Sequence, residues 1–491
     1  MAKAVISYPR HVFNNVSLLF LCILFSPVVL LVSTLAYGLG KLWSRKAKLP
    51  TLTSRRTVLI TCPERMTKSL TLCRAFHEAG HRVIAAEGSP RYAYECSNSV
   101  SKYYTIPSPT DPAYVTTLAD IIKRESVDLL VPVCGVQTTL EDVKAAEELQ
   151  KSLGCRMFQL NTETCELLDK KNSFIAKARE LGLTVPETYE FSNKEEMLKF
   201  LESSMGSGKK YILKCIALDD TSRSRIPLLP LAENTSTRAA LENIPISENN
   251  PFILQQYVEG QEFTTHAVIT HGKVRAFAAC QSSELTMHYK PLPLQSGLSQ
   301  AMLEFTEKFA TSLPGNQPAQ LSFDFIVPLQ LPGVDYSNYQ KDQITLYPIE
   351  CNPRTHTAIV MFQDQLKELG DAYMSIFEDS ESSEDSEILG PGPLVKGRYW
   401  IGHDIFSLVI LPFLNLILLQ ETPSGFLKKF VSAVSHILFW KDGVLSAWDP
   451  LPFFMLYTVH WPRKFLISLW TGKRWTRVNV STSRAFDAHV R

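Results

Sequence analysis

FDFI (Phe323–Ile326) and, after a variable loop, LYPIECNPR (Leu346–Arg354) are the two stretches whose reading decides the fold. The first predicts a strand carrying Asp324 among apolar neighbours. The second predicts a strand ending in Glu350, Asn352 and Arg354, which alternate with Cys351 and Pro353. Side chains alternate faces along an extended chain, so the three polar residues point one way. Two carboxylates and an amide oxygen on adjacent strands can hold a hard divalent cation, and Mg²⁺ takes one or two carboxylates plus substrate phosphates. A guanidinium beside them can clamp a phosphoryl group in bidentate fashion. A plain antiparallel hairpin with a charged rim accounts for the same residues, and spacing alone leaves both readings open.

The remaining chain sets the frame. Its 491 residues predict two or three domains. A net charge of +1 gives no basic surface for nucleic acid, so no nucleic-acid partner is expected. The ten cysteines are scattered, without a CxxC pair, which points away from a disulfide framework and toward a reducing compartment. No Asp, Glu, Lys or Arg occurs from His11 to Gly40, and Val16–Leu39 is long enough to cross a bilayer. Lys41, Arg45, Lys46 and Lys48 follow it, so the positive-inside rule predicts a single-pass N-terminal anchor with the bulk of the chain in the cytosol. A cleaved signal peptide is the rival reading, but the apolar run is long for one and lacks a clear small-residue cleavage site.

Beyond the anchor, TVLIT (Thr57–Thr61), a helix over Lys68–Ala79 and RVIAAE (Arg82–Glu87) make a β-α-β unit. A helix around Val115–Glu125, the strand Asp128–Val133 and a helix over Leu140–Leu153 continue it, without a GxGxxG. A basic helix opens after Asp169 and closes at Gly182. KKYILKCIA (Lys209–Ala217) predicts a strand with Lys214 in an apolar run, either an edge-strand gatekeeper or a cation aimed at a phosphate site. Pro251–Ile269 reads as strand, turn at Gly260, strand. Asp379–Glu387 is an acidic, solvated loop. In the tail, Ile405–Leu419 is uncharged but short for a span, which suggests a buried or interfacial helix. The aromatic-rich stretch between Phe439 and Trp475 could line a pocket, pack on the body or sit at a lipid headgroup interface.

In this order the pieces resemble the ATP-grasp superfamily of carboxylate–amine ligases, from about Arg56 to Gln363. The resemblance implies an α/β (α+β) fold. Residues 1–50 would be the membrane anchor, 51–165 a Rossmann-like pre-ATP-grasp domain, 166–372 the ATP-grasp domain, 373–390 an acidic loop and 391–491 an aromatic-rich C-terminal extension. It further implies that Lys214 contacts the ATP phosphates, with Lys171 in support. Gln255, Gln256, Tyr257 and Val258 (QQYV) would form the adenine hinge, and Glu262 would hold the ribose. Asp324, Glu350 and Asn352 would bind Mg²⁺, with Mn²⁺ as a substitute, and Arg354 would face the transferred phosphoryl group. The family's glycine-rich lid is replaced by ALDDTSRSRIPLLP (Ala217–Pro230), where Arg223 and Arg225 could serve as clamps. The tail, LFWKDGVLSAWDPLPFFMLYTVHWP with KRWTRVNVSTSRAF, resembles that of the ATP-grasp ligases of mycosporine biosynthesis, which join glycine to a cyclohexenone.

The implied reaction is ATP-dependent C–N ligation. ATP activates a small acidic acceptor, a carboxylate or vinylogous acid, and an amino acid's amine displaces phosphate. His356 is a candidate acceptor for the amine's proton, although a lone histidine at a strand end is more often structural. Two alternatives are a dipeptide-type amino-acid ligase and a non-catalytic, membrane-anchored nucleotide-binding scaffold.

Overall fold

The structure is a computed structural model that describes residues 7–43, 55–62, 67–88, 95–135, 138–215, 227–282, 287–328, 339–378, 387–392, 395–481 and 484–487. Most of the lid segment, with Arg223 and Arg225, and nearly all of the acidic run lie outside the described residues. The chain is a mixed α/β protein.

Strands β1 (Thr57–Cys62), β2 (Arg82–Glu87), β3 (Lys102–Thr105), β4 (Leu129–Pro132) and β5 (Arg156–Met157) form an all-parallel sheet in the order β3-β2-β1-β4-β5. Parallel strands covered on both faces read as continuous apolar runs, and β1, β2 and β4 do. Leu59, Ile84 and Leu130 pack on one side with Leu118 and Leu149 from the helices Ala113–Glu125 and Thr139–Leu153. Val58, Val83 and Val131 pack on the other with Leu72 and Phe76 from the helix Thr67–Glu78.

Two antiparallel sheets follow. The smaller joins β6 (Thr188–Phe191), β7 (Tyr211–Cys215) and β8 (Phe252–Gln256) in the order β6-β8-β7. The larger joins β9 (Gly260–Thr270), β10 (Lys273–Gln281), β11 (Ala319–Pro328) and β12 (Tyr347–Asn352) in the order β10-β9-β11-β12. Phe323 and Phe325 of β11 enter a phenylalanine cluster with Phe305 and Phe309 of the helix Gly297–Ser312. That burial directs the alternate residue, Asp324, to the opposite face. Gly260 is needed where β9 meets β11, because a Cβ there would lie 2.2 Å from the Val327 carbonyl oxygen.

The C-terminal extension folds back onto the first sheet. Trp400, Phe453 and Trp461 are buried in the same core as Val58 and Phe76. Asp449 accepts from Arg74 Nε at 2.8 Å, from Ser97 Oγ at 2.7 Å and from the Asn98 amide at 2.8 Å, with both charged side chains out of contact with water. Most tail aromatics therefore pack on the body, while Trp470 stands 93% exposed. An apolar helical hairpin, Ile401–Ile417 and Pro423–Phe439, projects from this extension, and Leu414, Leu419, Leu427 and Phe439 are exposed on it. The long helix Tyr8–Trp43 packs one stripe against the helix Trp461–Thr471 and leaves its other side apolar and exposed. Asn15, within an N-x-S sequon, is buried there and accepts from Trp475 Nε1 at 3.0 Å.

Removing one partner of a buried ion pair strands the other charge, at a cost of about 3–5 kcal/mol. Asp449→Ala should lower the thermal midpoint of the full chain and expose the tail to protease, and Arg74→Leu with Asp449→Leu should cost less than either single change. An unchanged midpoint for Asp449→Ala would mean that the tail is held by packing alone.

Candidate active site

The site is built where β11 and β12 run side by side. Ser322 pairs with Asn352, Phe323 with Cys351 and Asp324 with Glu350, and a bulge follows Asp324. The two carboxylates are therefore directly opposed. Asn352 donates from Nδ2 to Asp324 Oδ2 at 3.2 Å. Arg354, just past the strand end, turns back: its amide donates to the Asn352 carbonyl at 2.8 Å and its guanidinium donates to Asn352 Oδ1. The same guanidinium donates to Asp169 Oδ1 at 2.8 Å and reaches Thr139 Oγ1 at 3.4 Å.

Lys171 Nζ lies 3.2 Å from Glu350 Oε2. A helix break delivers both residues. Thr162–Asp169 ends and Lys171–Glu180 begins around Lys170, whose backbone is extended (φ −83°, ψ 122°). Asp169 and Lys171, on either side of that break, meet Arg354 and Glu350 respectively.

Burial and the facing Glu350 push the Asp324 carboxyl well above the usual carboxylate range, and Glu262 adds to the effect. Opposed, partly buried carboxylates demand positive charge. Lys171 meets part of that demand, and a divalent cation on Asp324 and Glu350 would meet the rest, joined by Asn352 once its amide turns to present the oxygen now held by Arg354. The donor set fits Mg²⁺ on this ground.

Glu262, on β9, pairs in register with Ile326, two residues beyond Asp324, and accepts from Ser282 Oγ at 2.8 Å. Lys214 and Gln255 belong to the smaller sheet. Although β7 is an edge strand, Lys214 is buried and donates to Gln255 Oε1 at 2.5 Å, so it turns inward rather than guarding the edge. Gln256 bridges β8 to β6, its amide donating to the Glu187 carbonyl at 2.7 Å and its side chain accepting from the Glu187 amide at 3.2 Å. The Tyr257 amide donates to the Lys210 carbonyl at 2.7 Å, and its ring is exposed. Val258 lies in the link to β9 and is half-buried.

His356 takes a structural place instead of a catalytic one. Its Nδ1 accepts the Ala358 amide and caps the buried 3-10 turn Thr357–Phe362. Burial, with Lys68 and Arg354 nearby, pushes its imidazole down to about 3, which makes it a poor home for an amine's proton. The sequence reading missed Asp169, Thr139 and Lys68. Lys68 is buried and donates to the carbonyls of Thr355 (2.6 Å) and Cys134 (3.1 Å), which ties the end of β12 to the parallel sheet. All three come from segments far from β12, so no local spacing marks them.

No protein-family model matches the chain. It is similar to the carbamoyl phosphate synthase large chain of Pseudomonas aeruginosa, 28% identical over 138 residues, which is 26% of this chain and 12% of that protein. The corresponding N-terminal section from Aquifex aeolicus is 29% identical over 135 residues, 26% of this chain and 23% of the relative. The chain thus matches only a small part of the length of these curated relatives. Among solved structures, an ADP complex of N5-carboxyaminoimidazole ribonucleotide synthetase aligns at a TM-score of 0.48 and 14% identity, covering 70% of this chain and 80% of that one. The L-amino acid ligase of Bacillus licheniformis aligns at 0.45 and 16%, covering 66% and 76%.

The carboxylate pair generates a pH-dependent prediction. A raised carboxyl pKa means that the folded chain holds the proton more tightly than the unfolded one. The associated stability is complete below the ordinary carboxylate value and is lost as pH rises through the raised one. Metal-free wild type should therefore lose stability relative to Asp324→Asn as pH rises above the ordinary carboxylate range of about 4, and added Mg²⁺ should recover the loss. Parallel melting profiles for the two proteins above that range would contradict the assignment.

Proposed function

We propose that the chain is an ATP- and Mg²⁺-dependent C–N ligase of the ATP-grasp kind. It would activate a small acidic acceptor and join it to an amino acid. The observation that carries this reading is the opposed pair Asp324–Glu350 with Asn352 and Arg354 at one strand end. The division into a Rossmann-like domain over 51–165 and an ATP-grasp domain over 166–372 is part of the same proposal.

In this reading Asp324, Glu350 and Asn352 would hold Mg²⁺, and the ion when bound would supply charge screening for the phosphates. Lys214, kept in a buried position by Gln255, donates to phosphate oxygens. Arg354, fixed in orientation by Asp169, spreads charge from the phosphoryl group in transfer. Lys171 neutralises Glu350 between turnovers. Tyr257 and Val258 offer the backbone of the adenine hinge, and Glu262 accepts from the ribose hydroxyls. The acceptor's oxygen takes the γ-phosphoryl group, and the amine then displaces phosphate with transfer of one proton to solvent. The closer, mycosporine-type reading, with a cyclohexenone acceptor, rests on the tail's resemblance alone, and three of the aromatics that suggested a ring-binding pocket, Phe453, Trp461 and Phe465, are buried in the core instead.

We also infer that the protein sits on a membrane with its catalytic part in the cytosol. The apolar, exposed helix Tyr8–Gly40 supports an anchor. The exposed apolar side of the C-terminal hairpin supports a second contact with the same lipid surface. Full-length protein should stay with membranes under alkaline carbonate extraction, with a C-terminal tag open to protease added from the cytosolic side. Release by carbonate, or a protected tag, would overturn this placement.

The activity is tested by ADP release from the full chain in detergent, with Mg²⁺ and amino acids paired with 4-deoxygadusol, the cyclohexenone of the mycosporine-type reaction, or with simple carboxylates. Release that requires an amino acid and an acceptor together supports the ligase. Release with amino acids alone moves it to the dipeptide type, and silence with every pair favours a nucleotide-binding scaffold. Glu350→Gln should lower turnover by at least about 10²-fold, a loss of the order seen when a key electrostatic group is removed, while the melting midpoint stays near that of wild type.

A further inference from the structure

We propose that His288, Asp404 and His436 form a binding site for a divalent transition-metal ion of the Zn²⁺ class at the base of the C-terminal helical hairpin. This site lies apart from the carboxylates of β11 and β12 and does not rest on the ligase reading.

Three segments distant in sequence converge there. His288 precedes Tyr289, which exchanges backbone hydrogen bonds with Arg398 at 2.8 and 2.9 Å and so fixes this loop to the entry of the extension. Asp404 lies in the first turn of Ile401–Ile417, and His436 in the last turn of Pro423–Phe439. The two helices pack antiparallel, so the start of one lies beside the end of the other, at the hairpin's open end.

The donor atoms already face one another. His288 Nε2 is 2.8 Å from Asp404 Oδ1, and His436 Nδ1 is 2.6 Å from Asp404 Oδ2. The three ligand atoms all lie within 4.8 Å of each other. Ligands held at about 2.0–2.2 Å from one tetrahedral ion would stand about 3.4 Å apart. His288 Nε2 and His436 Nδ1, each now held by a different oxygen of Asp404, would draw together around the ion.

Chemistry and burial point the same way. Two imidazoles and one carboxylate are the donor set of many zinc and non-haem iron sites, with positions left for water or a further ligand. Asp404 is almost fully buried, and among the described residues its ion-pair partners are these two histidines, with no Lys or Arg. A divalent ion would compensate that carboxylate without requiring a protonated imidazole. Tyr399 and Trp440 flank the His436 ring, at 5.8 and 4.6 Å between centroids, and restrict its rotation. The hairpin exposes apolar side chains along its length, and an ion at its base would staple it to the body.

The test uses full-length protein in detergent micelles, stripped with chelator and kept in excess Mg²⁺ so that the β11–β12 carboxylates are occupied. Titration with ZnCl₂ should show one tight site per chain and a raised melting midpoint. CoCl₂ in its place should give visible ligand-field bands, which Zn²⁺ then displaces. The double variant His288→Ala, His436→Ala should lose that one equivalent, and Asp324→Asn should retain it. Absence of a tight Zn²⁺ or Co²⁺ site in wild type would overturn the proposal and leave a hydrogen-bonded His–Asp–His clasp, a result independent of how any variant folds. Retention of the equivalent in the folded double variant would overturn it equally.

Discussion

The opposition of Asp324 and Glu350 across two antiparallel strands is the constraint around which the central sheet is arranged. Two carboxylates at that separation, partly screened from water, repel each other and raise the cost of ionising both. The neighbouring positive groups follow from that cost. Lys171 meets Glu350, Arg354 is folded back over Asn352, and Asp169 keeps Arg354 from moving away. A site organised in this way holds excess negative charge that a soluble divalent cation can balance, which is the condition for binding Mg²⁺ together with phosphates.

The residues that hold this arrangement in place come from every layer of the molecule. Lys68 extends from the first helix of the parallel sheet to the Thr355 carbonyl, and Thr139 reaches Arg354 from the helix after β4. The Thr357–Phe362 turn, wholly buried, carries the chain from Arg354 into the core shared with Thr67–Glu78. The end of β12 and the parallel sheet are therefore one mechanical unit. The C-terminal extension joins the same core through Trp400 and Trp461, and the Arg74–Asp449 pair fixes its orientation. Its apolar hairpin and the N-terminal helix keep their hydrophobic sides outward, which is unfavourable in water and favourable against lipid.

Much of this is legible in the chain itself. Continuous apolar runs marked β1, β2 and β4, and alternation marked β11 and β12, because the periodicity of burial is set by backbone geometry. The same alternation made Asp324, Glu350 and Asn352 candidate oxygen ligands beside the plain reading of a charged rim, and left Lys214 as either an edge gatekeeper or a cation aimed at phosphate. The uncharged run from His11 to Gly40 announced a helix long enough for a bilayer.

Other features required the tertiary structure. Whether Lys214 guards an edge or points inward depends on Gln255, a residue of the neighbouring strand. Asp169, Thr139 and Lys68 join the site only through contacts between distant segments, and nothing in their local sequence distinguishes them from surface polar residues. His356 looks like a base beside Arg354 until the fold buries it, places cations near it and uses its Nδ1 as a cap. The tail's aromatics had three readings in sequence, and packing against the parallel sheet decided among them for Phe453 and Trp461 but not for the exposed Trp470. His288, Asp404 and His436 are separated by long stretches of chain and share no motif, so only the fold brings them together. Sequence determines what each segment can bury and which chemistry it carries. The meeting of groups from separate segments, and the dielectric in which they meet, are decided by the tertiary structure, because both depend on which surfaces exclude water together.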